Sequence, residues 1–200
     1  MRRWVITGGL ACGKSSVTEL LRHYVPEAAM FSCDAAVHEL LDKPEVGAQI
    51  GKTFGAGVLA ANGIAVNRDA LRAVVFESEE KRLALESILH PLVLGNLERS
   101  ALAAAGTGRN LFVAEVPLYY EIGESVPADL VITVACSREL QKRRMKERRR
   151  LDDATCEQML ATQWPVEVKI DKADVVLWND GERNALEDQV LLLANQQNRE

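Results

Sequence analysis

Apolar and polar positions follow two alternating regimes along this chain. Short, nearly continuous apolar or β-branched runs occur at Trp4–Thr7, Ala29–Cys33, Leu111–Val116, Leu130–Cys136 and Val175–Trp178. Runs of this length and continuity predict strands buried on both faces of a parallel sheet. Between them, helical spacing predicts helices over Ser15–Tyr24, Ala35–Leu41, Arg68–Phe76, Glu79–Leu89, Leu92–Ala105, Arg138–Arg149, Thr155–Thr162 and Glu182–Ala194. Gly106 stops one of these, and Asp180-Gly181 makes a turn before the last. Strand alternating with helix predicts a doubly wound α/β fold. The interval from 42 to 110 is too long for one crossover, and its several helices read as a helical insertion beside the sheet. Residues 138 to 165 form a second excursion, a basic helix followed by a shorter one.

The first apolar run leads straight into Gly8-Gly9-Leu10-Ala11-Cys12-Gly13-Lys14-Ser15, with helical spacing at Val17, Leu20 and Leu21 beyond it. Strand, Gly-rich loop and helix in that order are the setting in which G-x-x-x-x-G-K-[ST] cradles a nucleoside triphosphate. Glycines let successive backbone N–H groups turn inward toward phosphate oxygens. Lys14 supplies a point charge for the β- and γ-phosphates, and the Ser15 hydroxyl suits Mg²⁺. The helix that follows turns its positive end to the anion. The segment therefore predicts ATP or GTP as a ligand.

Composition narrows the surroundings of that site. Two hundred residues, 48% of them hydrophobic, suffice for one domain with a proper core. A net charge of −5 speaks against a protein that wraps nucleic acid. Cys12, Cys33, Cys136 and Cys156 are scattered without metal-ligand spacing and read as reduced thiols. No run reaches the length of a membrane span, and the apolar residues after Arg2-Arg3 are too few for a signal peptide. A cytoplasmic enzyme is expected.

Other residues have the chemistry of phosphoryl transfer. Asp34 follows the second strand run, at the carboxyl edge where ligands of doubly wound sheets bind. A carboxylate there accepts a proton from an attacking hydroxyl, or caps the helix that begins at Ala35. Arg143, Arg144, Lys146, Arg148, Arg149 and Arg150 crowd one short helix. That helix is a source of charge for a transferring phosphoryl group, a solvated basic face, or a nucleic-acid patch. A helix aims only one or two of its residues at a given point. Glu115, at the end of the third run, has the position of an acid that holds water on Mg²⁺, or of an exposed strand end. His90-Pro91 is a substrate contact or a helix boundary. Cys12 and Cys33 lack a neighbouring base and read as bystanders to catalysis, although Cys12 is expected to make the enzyme sensitive to thiol modification.

Taken together, these motifs resemble the dephospho-coenzyme A kinase family over nearly the full chain. The family's G-G-x-G-x-G-K-S is similar to Gly8–Ser15, and its D-A-D-x-x-A to Ser32-Cys33-Asp34-Ala35-Ala36-Val37. Its F-G-x-x-[IV]-L and later R-x-x-L resemble Phe54–Leu59, Arg68 and Leu71, followed by Val75-Phe76 and Leu89-His90-Pro91. Val116-Pro117-Leu118-Tyr119-Tyr120-Glu121 resembles V-P-L-L-[FY]-E. Gln141, Arg144, Arg148, Gln163, Lys169, Ala173-Asp174 and Asn179-Asp180-Gly181 match the family's remaining signatures.

The resemblance implies a P-loop kinase with strand order 2-3-1-4-5, a coenzyme-binding insertion and a lid. It implies ATP with Mg²⁺ as phosphoryl donor and the ribose 3′-hydroxyl of 3′-dephospho-CoA as acceptor. Lys14, Asp34 and Arg144 would be catalytic. Gly9, Ala11, Cys12, Gly13, Ser15, Ser16, Asn179 and Gly181 would join Lys14 and Arg144 around ATP. Arg68, His90 and Glu115 would join Asp34 at the substrate, with Ser15 on the metal and a monomer favoured. Three positions depart from the pattern: Ala11 stands for a glycine, Ser32 for the first aspartate, and Arg149-Arg150 for a pair such as Asp-Gly. A P-loop kinase for another nucleoside or small alcohol shares most of these features. A GTPase switch does not, since no N-K-x-D run occurs.

Overall fold

The computed structural model describes residues 1–123 and 126–197, without the side chains of Arg149 and Gln197. Five strands form one parallel sheet in the order β2-β3-β1-β4-β5. They are β1 (Arg2–Gly8), β2 (Ala29–Ser32), β3 (Leu111–Glu115), β4 (Leu130–Ala135) and β5 (Val175–Trp178). The order is the one the family resemblance implies. In the central strands the apolar runs are buried on both faces, with Ile6, Phe112 and Ile132 sealed in the interior. The edge strands β2 and β5 are only partly covered. Edge position explains the difference from the uniformly buried strands the sequence predicts. At β5 the outer backbone groups are not left open. Gln189 accepts from Trp178 N at 2.9 Å and donates to Trp178 O at 3.0 Å, which blunts the edge.

Two compact units divide the chain: Met1–Phe31 with Ala101–Glu200, and Ser32–Ser100. The first holds the sheet, α1 (Lys14–Tyr24), α6 (Arg138–Arg149), α7 (Asp153–Ala161), α8 (Val166–Asp171) and α9 (Arg183–Gln197). Its core joins Trp4, Ile6, Leu21 and Ile132 to Val190 and Leu193 of α9. The second holds α2 (Cys33–Leu41), α3 (Pro44–Phe54), a 3₁₀ turn (Ala56–Val58), α4 (Arg68–Phe76) and most of α5 (Glu79–Gly106). This unit begins at Ser32, ten residues before the insertion read from sequence.

Local chemistry sets most boundaries. Ser32 Oγ accepts from Ala35 N at 3.3 Å, Asn67 Oδ1 from Ala70 N at 3.1 Å, and Ser137 Oγ from Leu140 N at 3.4 Å. Each caps the first turn of a helix. Two features differ from the sequence expectations. Residues 44–54 form a helix that the glycines at 47 and 51 disguise. A Cβ on Gly47 would lie 2.2 Å from Ile64 O, so the missing side chain admits the returning loop. The helices expected at Glu79–Leu89 and Leu92–Ala105 are one continuous helix with Pro91 inside it. Pro91 removes one backbone hydrogen bond at a cost of about 3 kcal/mol. Burial of Ile88, Leu89, Val93 and Leu97 on either side of it offsets that cost.

Candidate active site

The loop between β1 and α1 is shaped by what surrounds it. A Cβ on Gly8 (φ +139°) would lie 2.1 Å from Val134 O, and one on Gly13 (φ +100°) 2.3 Å from Asn179 Nδ2. Both glycines are therefore required by neighbours as well as by backbone angle. Ala11, which stands for a family glycine, has φ +59°. An L-residue in that left-handed region costs about 1 kcal/mol, so the departure is accommodated at the price of local strain. Lys14 Nζ donates to Gly8 O at 3.3 Å and Gly9 O at 2.9 Å and lies over the loop. No acid occupies the first turn of α1, and Gly13 offers no side-chain cap. The helix end keeps its positive partial charge for an anion.

Glu115 is buried, not an exposed strand end. The β1–β3 register pairs it with Ile6, which brings it to the base of the loop. Ser15 Oγ donates to its Oε1 at 3.5 Å and Thr18 Oγ1 to its Oε2 at 3.1 Å. A carboxylate and a hydroxyl side by side form an oxygen-only donor set suited to Mg²⁺. No group of three or more His, Cys, Asp or Glu positioned for a metal occurs among the described residues. Mg²⁺ takes one or two protein oxygens and otherwise phosphates and water. Thr18 is a member of this set that the motif does not mark.

On the other side of the loop, Arg144 reaches across from α6. Its Nη1 donates to Ala11 O at 3.3 Å and Cys12 O at 3.4 Å, and its Nη2 to Asn179 O at 3.0 Å. Asn179 Nδ2 donates to Cys12 O at 2.8 Å. Gly13, Ser16, Arg144, Arg148, Asn179 and Gly181 line a cavity of about 250 Å³ with Arg183 and leucines. Much of the predicted nucleotide set thus converges on one cavity beside the loop. Arg138, Lys142 and Lys146 of the basic helix face α7 instead. Arg138 pairs with Glu157, Lys142 with Glu157 at 2.8 Å, and Lys146 with Asp153 at 2.7 Å. These lysines lower the carboxyls of Asp153 and Glu157 below their ordinary range. Arg150 ends α6 at φ +52°, the position a glycine commonly fills.

Two family-like motifs meet in a buried ion pair. Lys169 Nζ lies 2.7 Å from Glu121 Oε1 and donates to Pro117 O at 3.2 Å. Glu121 also accepts from Trp164 N at 3.0 Å, which ties the segment before α8 to the loop after β3. Asp174 accepts from Val131 N at 2.8 Å and so secures the start of β4. These matches carry structure.

In the second unit, Asp34 lies exposed in the first turn of α2. Its alternative reading as the helix cap is corrected: Ser32 holds that place, because α2 starts at Cys33. Arg68 pairs with both oxygens of Asp42 (2.8 and 2.9 Å) and donates to His38 O at 3.2 Å. His90 lies within continuous α5, so its reading as a helix boundary is also corrected. Cys12 and Cys136, read as scattered thiols, are buried with their sulfurs 3.4 Å apart.

A family model described as Dephospho-CoA kinase matches residues 4–185. The chain belongs to that family. A dephospho-CoA kinase of Geobacillus kaustophilus is 33% identical over 194 residues, covering 96% of this chain and 94% of its own. One of Anaeromyxobacter dehalogenans is 37% identical over 188 residues, covering 93% and 87%. Among solved structures, TT1252 from Thermus thermophilus superposes with a TM-score of 0.77 at 26% identity, covering 98% of this chain and 97% of that one. Membership makes the chain an ATP-dependent phosphotransferase, consistent with the phosphate loop and the cavity beside it.

Proposed function

We propose that this kinase transfers the terminal phosphoryl group of ATP to the ribose 3′-hydroxyl of 3′-dephospho-CoA, giving ADP and CoA. The observation that carries the reading is Glu115, buried at the foot of the phosphate loop beside the Ser15 hydroxyl. Ser15 and Thr18 both donate to it, and this set of oxygens supports metal-assisted phosphoryl transfer.

In this reading the loop N–H groups, the α1 terminus and Lys14 bind the phosphates. Ser15 and Glu115 would hold Mg²⁺, which when bound would supply charge neutralisation for the phosphoryl group. Asp34 accepts the proton of the 3′-hydroxyl, and Arg144 or Arg148 stabilises charge on the transferring group. Ser16, Asn179 and Gly181 line the nucleotide cavity. Residues 42–110, with Arg68 and His90, are assigned to the coenzyme, and 138–165 to a lid over ATP.

The test is to incubate the protein with Mg-ATP and 3′-dephospho-CoA and follow CoA by mass. CoA formation equal to ADP release is expected; ADP release without CoA overturns the acceptor. Asp34→Asn is expected to lower kcat by about 10²–10⁴ with little change in ATP affinity. Near-normal turnover would remove Asp34 as the base.

A further inference from the structure

Cys12 and Cys136 are far apart in sequence but adjacent in space. Cys12 sits in the middle of the phosphate loop, and Cys136 follows the last residue of β4. The Cys136 thiol donates to Cys12 Sγ at 3.4 Å, and Gln141 Nε2 donates to the same sulfur at 3.2 Å. Both cysteines are fully buried. The Cys12 sulfur thus has two donors directed at it and Lys14 close enough to act on it by charge.

These contacts separate the two thiols chemically. The hydrogen bond from Cys136, aided by Lys14 and Gln141 and opposed by burial, brings the Cys12 thiol down to about 7. The same hydrogen bond, with burial, pushes Cys136 upward. Cys12 is the nucleophile of the pair, and Cys136 the resolving thiol beside it.

We propose that Cys12 and Cys136 are a reversible oxidation site, at which a small peroxide forms an intramolecular disulfide that distorts the phosphate loop and stops phosphoryl transfer. The consequence for transfer rests on the ATP-binding reading of this loop; the cross-link does not.

The step balances in two parts. The Cys12 thiolate attacks one oxygen of hydrogen peroxide; the O–O bond breaks and hydroxide leaves, giving a sulfenic acid. The Cys136 thiol then attacks the Cys12 sulfur, the S–O bond breaks, and water leaves with the thiol proton. Overall, two thiols and one peroxide give one disulfide and two waters. Burial selects the oxidant: a molecule of peroxide size needs only a local opening of the loop, whereas bulky alkylating reagents are disfavoured. This narrows the expected thiol sensitivity of Cys12 to small oxidants.

Closing the bond brings the sulfurs about 1.4 Å nearer, to a separation of about 2.05 Å. Cys136 is anchored beside the sheet, where Asn179 N donates to the neighbouring Ala135 O at 2.8 Å. The loop is the part left to move. Cys12 O accepts from both Asn179 Nδ2 and Arg144 Nη1, and Gly13 follows at once. Displacement of Cys12 therefore shifts the wall of the nucleotide cavity and the start of α1. A misplacement near 1 Å lowers turnover by about 10²-fold.

The experiment uses the full-length reduced protein treated with hydrogen peroxide, then quenched and mapped by mass spectrometry. We expect an intact mass lower by two hydrogens and a peptide joining Cys12 to Cys136. Kinase turnover is expected to fall at least tenfold and to recover with dithiothreitol. Cys136→Ser and Cys136→Ala are expected to keep basal activity and to form no such peptide. The proposal is overturned if the cross-link is absent or involves Cys33 or Cys156. It is equally overturned if turnover survives full cross-linking, or if both Cys136 variants lose activity to peroxide as reversibly as the unmodified chain. A reduced protein that makes no CoA but still forms the Cys12–Cys136 peptide would count against the functional reading, leaving the oxidation site standing.

Discussion

The phosphate loop and helix α6 both present basic residues, and they hold them in opposite ways. In the loop a single lysine, Lys14, lies against the carbonyls of Gly8 and Gly9, beside a helix end with no acid in its first turn. In α6, Arg138, Lys142 and Lys146 are matched by Glu157 and Asp153 of α7. Among the described side chains of that helix, Arg144 and Arg148 line the cavity beside the loop. Density of charge in sequence is thus a poor guide to charge available for a phosphate. What decides is whether an acid packs opposite, and for α6 the answer lies in α7.

Each prediction strains this contrast. Lys14→Ala should lower kcat/KM by about 10³-fold, roughly 4 kcal/mol, while far-ultraviolet circular dichroism stays unchanged. Unaltered steady-state kinetics would erase the distinction between the loop and α6. Lys169→Ala asks whether a paired lysine matters when the pair is buried. Loss of Lys169 leaves the Glu121 carboxylate uncompensated and should cost about 3–4 kcal/mol in urea unfolding. An effect below 1 kcal/mol would mean that this pair behaves like a surface one.

Ala11→Gly relieves a left-handed alanine and should stabilise the protein by up to about 1 kcal/mol, readable as a raised melting temperature. Arg143→Ala should change turnover by less than about twofold, because Arg143 is exposed and among the described residues pairs with Glu147 alone, at 3.9 Å. A larger loss would place Arg143 at the phosphates after all. The last effect is pH-dependent. Asp153 and Glu157 titrate below their ordinary range because of Lys146, Lys142 and Arg138. Their contribution to α6–α7 docking is complete above the usual carboxylate range and is lost as pH falls through the lowered values. Hydrogen exchange across α6 and α7 should rise on acidification below about pH 4, and to a lesser degree with added salt.

Where local chemistry sufficed, the elements were readable in advance. Helices Arg68–Phe76 and Arg138–Arg149 and strand Val175–Trp178 begin and end where caps and apolar runs place them. Pattern reading failed where a distant neighbour overrode propensity. Gly47 and Gly51 look like helix breakers until the loop at Leu59 and Ile64 is seen packing on them. Pro91 looks like a boundary until the buried side chains on both sides of it are counted. In the site, the motif named Lys14 and Ser15 but not Thr18. The hydroxyl of Thr18 is one helical turn beyond Lys14, and only the carboxylate opposite gives it meaning.

The order of residues alone determined that a strand, a glycine loop and a helix would build an anion cradle, because backbone angles and side-chain chemistry at neighbouring positions are local properties. It also determined the alternation of strand and helix from which the sheet grows. Tertiary structure decided which distant groups face that cradle: Glu115 through strand register, Arg144 from the middle of α6, Asn179 just past the end of β5, and Cys136 beside Cys12. Those pairings join residues 35 to 167 positions apart, and no periodicity along a chain encodes them. They arise because burying the apolar strands in one order brings particular strand ends together, and charge, hydrogen bonding and sulfur chemistry then act between whatever side chains stand there.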